Sequence, residues 1–251
     1  MLTTLAARGR DTQLLELRLL ELAPGERTSL TDDGEVCAVV LAGGTEVMVD
    51  GVELGAASRR GDVFDDPGDA VYVPPGQQLS LESPDGVKIA IAAAPAGHRA
   101  AAEARLLRGP AHPVREAGSG NWSRSIRTIL GPDEPAARLI VGETISPSGN
   151  WSSYPPHKHD REDPPREVAL EEIYLYRFRP EGGFALQVLY DDAHEEARVV
   201  HDGDTVAIRS GYHPVVAAPG YELYYLWVMA GDGRQLAPFL DPEHAWVEER
   251  G

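Results

Sequence analysis

Two stretches of the sequence repeat each other and decide the fold: "GDAVYVPPGQQLSL" at residues 68–81 and "GDTVAIRSGYHPVV" at residues 203–216. Each begins with Gly-Asp, continues as a short apolar strand and reaches a second glycine eight residues after the first. A repeat of this spacing that returns more than a hundred residues later indicates two copies of one structural unit.

The repeat extends upstream of both stretches. "EVCAVV" begins at Glu35, 33 residues before the first stretch, and "EIYLYR" begins at Glu172, 31 residues before the second. The sequence therefore predicts a first unit over residues 1–115 and a second over residues 116–251. Between them, we expect a short helix and a linker in "APAGHRAAAEARLLRGPAHP", residues 94–113.

Many short apolar runs, separated by Gly, Pro and Asp-Gly, occupy both units. This pattern predicts an all-β fold of antiparallel sandwiches or barrels. We expect the Asp-Gly turns in "VDGV" (49–52) and "HDGD" (201–204) to be of the hairpin type.

The composition excludes several functions. Forty acidic and 23 basic residues give a net charge of -17, which repels nucleic acids and anionic membrane surfaces. The chain shows neither an apolar leader nor a run long enough to span a bilayer, so we expect a cytoplasmic protein. The single cysteine, Cys37, lies in an apolar run and is interpreted as a buried thiol.

The segment "SSYPPHKHD", residues 152–160, holds a close pair of histidines. In an extended strand, His157 and His159 project to the same side while Lys158 points away. This spacing suits two ligands of one metal ion, but two exposed strand histidines would look the same.

Strand alternation selects one of two adjacent glutamates further on. Glu172, Tyr174 and Tyr176 share one face of the predicted strand, and Glu171 lies on the other face. The polar loop "DREDPPREVALE", residues 160–171, is expected to cover the mouth of the site.

A histidine pair, a glutamate that opens the next strand and a later histidine resemble the two-part motif of the cupin superfamily. The second unit has the complete set, His157, His159, Glu172 and His213, whereas the first has Gln78 in place of the last histidine. The resemblance implies a bicupin with one divalent metal, held in the second unit only. We expect zinc, with manganese or iron as alternatives. Other histidines, His98 included, are given no ligand role.

The resemblance narrows to the 5-deoxy-glucuronate isomerases of bacterial inositol catabolism, which are similar to the 4-deoxy-5-hexosulose-uronate isomerases of pectin breakdown. It rests on motifs spread over most of the chain: "GDVFDDPGDAVYVPPG", "REAGSGNWSRSIRTIL", "GNWSSYPPHKHD", "EEIYLYRF", "GFALQVLYDD" and "GYHPVVAAPGYELYYLWVMAG". It implies conversion of 5-deoxy-D-glucuronate to 2-deoxy-5-keto-D-gluconate without a nucleotide cofactor. One departure is Arg209, where a proline would be expected. A cupin oxygenase and a non-catalytic sugar-acid-binding bicupin stay open as alternatives.

The chemistry requires two further kinds of group. Tyr174 and Tyr190 are candidates for proton transfer, and a loop carboxylate and a metal-bound hydroxide are the other candidates. The carboxylate of a sugar acid needs a cation, for which the candidates are Arg161, Lys158, Arg124 and Arg127.

Apolar residues occupy both faces of "EIYLYRF" and "LYYLWVMAG". Such strands are covered on both sides, by domain or subunit contacts. A homo-oligomer is therefore considered. The partner that the resemblance implies is a small-molecule sugar acid.

Overall fold

The protein consists almost entirely of β-strands. The computed structural model describes residues 1–97 and 102–250, so His98 lies outside the described residues. The strands of the first half are β1 (Leu2–Ala6), β2 (Glu16–Leu22), β3 (Glu26–Thr31), β4 (Glu35–Val49), β5 (Val52–Arg60), β6 (Ala70–Val73), β7 (Gln78–Ser83), β8 (Val87–Ala94) and β9 (Arg105–Leu107). Those of the second half are β10 (Arg115–Ala117), β11 (Arg124–Leu130), β12 (Leu139–Ser146), β13 (Trp151–Ser152), β14 (His157–Lys158), β15 (Glu171–Arg179), β16 (Phe184–Tyr190), β17 (Glu195–His201), β18 (Thr205–Ile208), β19 (Val215–Ala217), β20 (Glu222–Ala230) and β21 (Phe239–Leu240).

The helical residues of the described chain are three short 3₁₀ segments, Gly109–Ala111, Gly120–Trp122 and Ala245–Arg250. In the described part of residues 94–113, where a short helix was expected, β9 extends the first sheet and the helical residues are the single 3₁₀ turn Gly109–Ala111. Within the described residues, no helix is long and apolar enough to cross a membrane.

The two halves build separate antiparallel sheets. Among the described residues, β1–β9 form one nine-stranded sheet along the order β1-β2-β8-β4-β6-β9, with β3, β5 and β7 paired alongside. The second half forms a six-stranded sheet, β10-β11-β12-β20-β15-β18, a four-stranded sheet, β13-β19-β16-β17, and the pair β14-β21. The predicted all-β tandem architecture is confirmed. The sheets change between Leu107 and Arg115, while the domain limits 1–115 and 116–251 stay a prediction.

One of the two Asp-Gly turns is a hairpin. Asp50 and Gly51 have φ of 48° and 76° and join β4 to its partner β5, as expected for a tight turn with two positive backbone angles. The prediction for "HDGD" was wrong, because β17 belongs to the four-stranded sheet and β18 to the six-stranded one. That turn carries the chain from one sheet to the other.

Three apolar cores account for the strands that are apolar on both faces. One core lies inside each domain, and a third joins residues of both domains, such as Leu17 and Val39 of the first with Ile173 and Leu226 of the second. Contact between the domains therefore covers the second face, and a homo-oligomer stays a prediction. Cys37 belongs to the shared core and is fully buried, which raises the pKa of its thiol.

The sheet register corrects the alignment of the two halves by one residue. Glu35 lies opposite the last residue of β8, and Glu171 lies opposite the last residue of β20. Val36, the residue after Glu35, pairs with the last residue of β6. Glu172, the residue after Glu171, pairs with the last residue of β18. The counterpart of Glu35 is thus Glu171, not Glu172, and Val36 stands where the second half has Glu172.

The two equivalent glutamates bind the opposite domain. Glu35 accepts hydrogen bonds from the backbone N–H groups of residues 137–139 at 2.6–2.7 Å and from Tyr72 Oη at 2.8 Å. Glu171 accepts bonds from the backbone N–H groups of Gln13 and Leu14 at 2.8 and 2.7 Å. Each carboxylate satisfies amides that precede a strand of the other domain, so the two contacts fix the domains to each other.

Arg209 adds a further polar contact between the domains. Its guanidinium donates to the backbone oxygens of Asp11, at 2.6 Å, and of Arg10. The turn after Arg209 still forms, with Gly211 at φ 83° where its counterpart Gly76 has φ 77°. The departure from proline therefore supplies a domain contact and leaves the turn intact.

Replacement of Glu35 by glutamine tests the contact between the domains. The change removes the charge and turns an amide NH₂ towards N–H donors, so we expect Glu35→Gln to lower the free energy of unfolding by about 2–4 kcal/mol. Urea denaturation measures this. Glu46→Gln, on the exposed side of β4, is the control and should change stability by less than about 0.5 kcal/mol. Equal midpoints for both variants would contradict the role of Glu35.

Candidate metal centre

Three imidazoles converge inside the second domain. His157 lies on β14, His159 follows directly after it, and His213 follows the turn after β18. Each offers a ring nitrogen, and the three nitrogens lie within 4.8 Å of one another. The i, i+2 spacing thus places the histidine pair on one side, as its sequence predicted.

Glu172 on β15 meets the same cluster. Its side chain is 1% exposed, and its Oε2 lies 3.1 Å from His159 Nε2 and 3.3 Å from His213 Nε2. Ligand bonds of about 2.0–2.2 Å place neighbouring ligand atoms around one ion about 3.0–3.6 Å apart. Both separations fit that range.

Hydrogen bonds to the backbone orient two of the imidazoles. His159 Nδ1 lies 2.8 Å from Leu170 O, and His213 Nδ1 lies 3.0 Å from Gly211 O. A carbonyl oxygen only accepts, so each Nδ1 carries the proton and each Nε2 presents a lone pair. These lone pairs face a carboxylate oxygen, which is also an acceptor, and His213 Nε2 is buried with no hydrogen-bond partner among the described residues. A cation held between them resolves the conflict.

The electrostatics of the cluster keep Glu172 ionised and His157 neutral, which are the forms that bind metals. Burial alone would raise the pKa of Glu172, but the adjacent imidazoles of His159 and His213 outweigh it and hold the pKa at about 2. Burial, with a smaller effect of the neighbouring imidazoles, lowers the pKa of His157 to about 3. For His159, burial opposes protonation, yet the adjacent Glu172 carboxylate raises its pKa, so a metal ion would displace a proton from Nε2. A carboxylate and neutral imidazoles suit a divalent first-row metal.

A buried ion-pair network lies behind the histidine pair. Lys158 bonds to Asp160, and to both oxygens of Glu167 at 3.0 and 3.2 Å. Asp160 Oδ2 accepts a hydrogen bond of 2.8 Å from the backbone N–H of Gly211, whose carbonyl receives the proton of His213. Asp160 therefore ties the segment of the histidine pair to the turn that holds the third histidine.

The loop of residues 160–171 packs beside the pair rather than across the mouth. Glu167 binds Lys158 and the backbone N–H groups of Asp160 and Arg161, at 2.7 and 2.9 Å. Of residues 160–170, Leu170 alone lines the cavity of the site. The expectation that this loop covers the mouth was wrong, because its buried glutamate anchors it beside the histidine pair.

The cavity beside the cluster has a volume of about 720 Å³. Its floor is the inner face of the six-stranded sheet, with Tyr174 on β15 and Tyr225 and Trp227 on β20. Tyr174 shares a 2.8 Å hydrogen bond with Ser153 Oγ, and burial, then the charge of Glu172, raises its pKa well above the ordinary value. Its hydroxyl thus stays protonated and is able to donate a hydrogen bond.

Among the four predicted cations, Arg124 alone lines this cavity. Arg127 lies on the opposite face of β11 and is buried against Glu143. Lys158 is engaged by the network, and the Arg161 side chain is 72% exposed. Of the two tyrosine candidates, Tyr174 lines this cavity. Tyr190 lines a different cavity and donates to Asp241 at 2.6 Å.

Sequence reasoning missed much of the cavity wall. Tyr225 and Trp227 could have been found, since alternation along β20 places them on one face. No sequence pattern would assign to the site the lining residues near the C-terminus, which are Leu236, Ala237, Pro238, Leu240 and Glu248.

Replacement of Asp160 tests whether the network positions the ligands. Asp160→Asn loses the ion pair with Lys158 and weakens the bond to Gly211, so we expect zinc affinity to fall about 10–100-fold. Competition against a chelator of known affinity measures it. Asp163→Asn, on the exposed part of the same loop, is the matched control. Identical zinc affinities in both variants, with unchanged melting temperatures, would argue against the link.

Tandem antiparallel β-domains with an internal three-histidine, one-glutamate cluster define a bicupin. A model of the KduI/IolB family matches residues 1–247, and the chain belongs to that family.

Individual relatives agree with this assignment. The 5-deoxy-glucuronate isomerase of Geobacillus kaustophilus is 41% identical over 222 residues, which cover 87% of this chain and 80% of that protein. The crystal structure of an IolB-like protein from Salmonella typhimurium LT2 has a TM-score of 0.91 at 30% identity, covering 98% of this chain and 94% of that one. Vicilin from hazelnut, at 12% identity and a TM-score of 0.63, covers 92% of this chain and 80% of its own and shares the fold alone.

Proposed function

We propose that the protein is a metal-dependent aldose–ketose isomerase that converts 5-deoxy-D-glucuronate to 2-deoxy-5-keto-D-gluconate. The observation that carries the proposal is a buried cluster of metal-ligand type, open to a cavity, in a chain 41% identical to a protein named 5-deoxy-glucuronate isomerase. His157, His159, Glu172 and His213 are its proposed ligands, with zinc as the first candidate and manganese or iron as alternatives.

The reaction moves one hydrogen between adjacent carbons and one proton between their oxygens. Substrate and product have the same composition, so no nucleotide cofactor and no oxidant are required. A divalent metal bound by the four residues would supply Lewis-acid chemistry for the carbonyl and hydroxyl oxygens of the sugar.

The protein's own groups hold the substrate and its protons. Tyr174 is the proposed catalytic residue, because its protonated hydroxyl lines the cavity that holds the cluster. It can donate to a substrate oxygen on which negative charge develops. Tyr190, the other candidate, lies in a separate cavity. The aromatic wall formed by Tyr225 and Trp227 excludes water around the reacting carbons.

The proposal assigns the two halves different tasks. The second binds the metal and the sugar acid, and the first, with Val36 and Gln78 at two of the ligand positions, is metal-free and supports it. Residues 1–115 and 116–251 are the proposed units. The activity would belong to inositol catabolism in the cytoplasm, with a small sugar acid as partner and without nucleic acid or membrane.

Metal content and turnover of His157→Ala test the function. Wild type should contain about one zinc per chain and form ketose from 5-deoxy-D-glucuronate under nitrogen, as followed by proton NMR. The variant should lose the metal and fall below about 1% of wild-type turnover, because an open ligand set no longer holds the ion.

His201→Ala, an exposed histidine of β17, is the control and should keep metal and activity. Consumption of dioxygen with the substrate would instead indicate an oxygenase. Metal binding without any change in the sugar acid would indicate a non-catalytic binding protein.

A further inference from the structure

Arg124 is a half-buried cation in the wall of the cavity that holds the histidine cluster. Its guanidinium lies 5.9 Å from the ring centroid of Trp122 and donates to the backbone oxygen of that residue at 3.2 Å. Among the side chains that the structure describes within residues 1–97 and 102–248, no carboxylate lies within ion-pair distance of it. The cation therefore lacks a counter-ion from the described chain.

Carboxylates are near, but they do not pair with Arg124. Glu116 and Glu248 line the same cavity, and Glu116 accepts a 2.8 Å hydrogen bond from Ser125 instead. Arg127, three residues along the strand, shows the usual arrangement, since its buried guanidinium pairs with Glu143. Burial lowers the pKa of Arg124, which reflects the unfavourable free energy of a charge removed from water. An anion that enters the cavity would offset this unfavourable free energy.

Two tyrosines share the cavity wall with the guanidinium and the histidine cluster. The rings of Tyr174 and Tyr225 pack at 4.5 Å between centroids, and the ring of Tyr174 lies 6.1 Å from that of His213. The wall of one cavity thus combines a cluster that suits a pair of sugar oxygens, two packed aromatic rings and a guanidinium.

We propose that Arg124 is the specificity-determining residue of this site and binds the carboxylate of an open-chain sugar acid. The inference rests on the proposed function, which it deepens by naming the group that selects uronates over neutral sugars. A guanidinium fits a carboxylate with two parallel hydrogen bonds, a geometry that a neutral hydroxymethyl group cannot reproduce.

The test compares two substrates that differ only at the last carbon, 5-deoxy-D-glucuronate and 5-deoxy-D-glucose. Arg124→Gln should raise KM for the uronate about 30–200-fold, because a charge-assisted bidentate contact is lost. KM for the neutral sugar should change by less than about threefold, as should kcat for both. Arg124→Lys should restore part of the preference for the uronate, since lysine keeps the positive charge but lacks the two parallel N–H donors of a guanidinium.

Two control variants separate this role from a general loss of structure. Arg161→Gln removes an exposed candidate beside the histidine pair, and Arg115→Gln removes the other cation of the cavity wall. Neither should change the preference for the uronate. Equal losses on both substrates in Arg124→Gln, or a loss of preference in Arg115→Gln, would overturn the assignment.

Binding without turnover keeps the inference testable if the reaction is different. The alditol acid made by reduction of 5-deoxy-D-glucuronate retains the carboxylate and cannot isomerise. Its calorimetric affinity should fall about 30–200-fold in Arg124→Gln, and an unchanged affinity would refute the role of Arg124. Failure of the wild type to form ketose would count against the proposed isomerase alone.

Discussion

Two adjacent carboxylates at the start of β15 organise the molecule. Successive strand residues point to opposite faces, so Glu171 and Glu172 cannot serve the same side of the sheet. Glu171 binds the backbone of the first domain, and Glu172 meets the histidines inside the second. The same alternation continues along the strand, with Ile173 in the core between the domains and Tyr174 in the core around the cavity. A shift of one residue in register would disrupt the domain contact and the site together.

The described part of the first domain has the same strand pairing at this position as the second domain, but it does not have the histidine cluster. Glu35 occupies the position of Glu171 and still binds the other domain, whereas Val36 occupies the position of Glu172 and packs in an apolar core. Gln78 stands at the place of His213 and is exposed at the start of β7. Neither residue could join an imidazole cluster, so the difference between the domains lies in the residues of one strand face and one turn. The shared strand pairing explains why the sequences repeat although, among the described residues, the histidine cluster lies in one half only.

Local periodicity and the internal repeat were sufficient to predict the tandem β-fold, and the resemblance to the cupin motif singled out the four side chains that the structure brings together. They failed where the outcome depends on packing between distant segments. Aligning Glu35 with Glu172 was wrong by one residue, because two glutamates are adjacent in the second half and only the sheet register separates them. Arg124 and Arg127 were grouped as substrate cations, yet a spacing of three on a strand places them on opposite faces. The wall near the C-terminus has no periodic signal, and its place follows from the pairing of β21 with β14.

The core shared by the two domains has an evolutionary consequence. Once two copies bury a common apolar surface, either copy alone exposes its half of that surface to water. The copy without ligands can then accumulate changes in its own interior, as Val36 illustrates, but it cannot be deleted. After a duplication and such docking, a domain without the histidine cluster is retained, because the other domain needs it to bury the shared apolar surface.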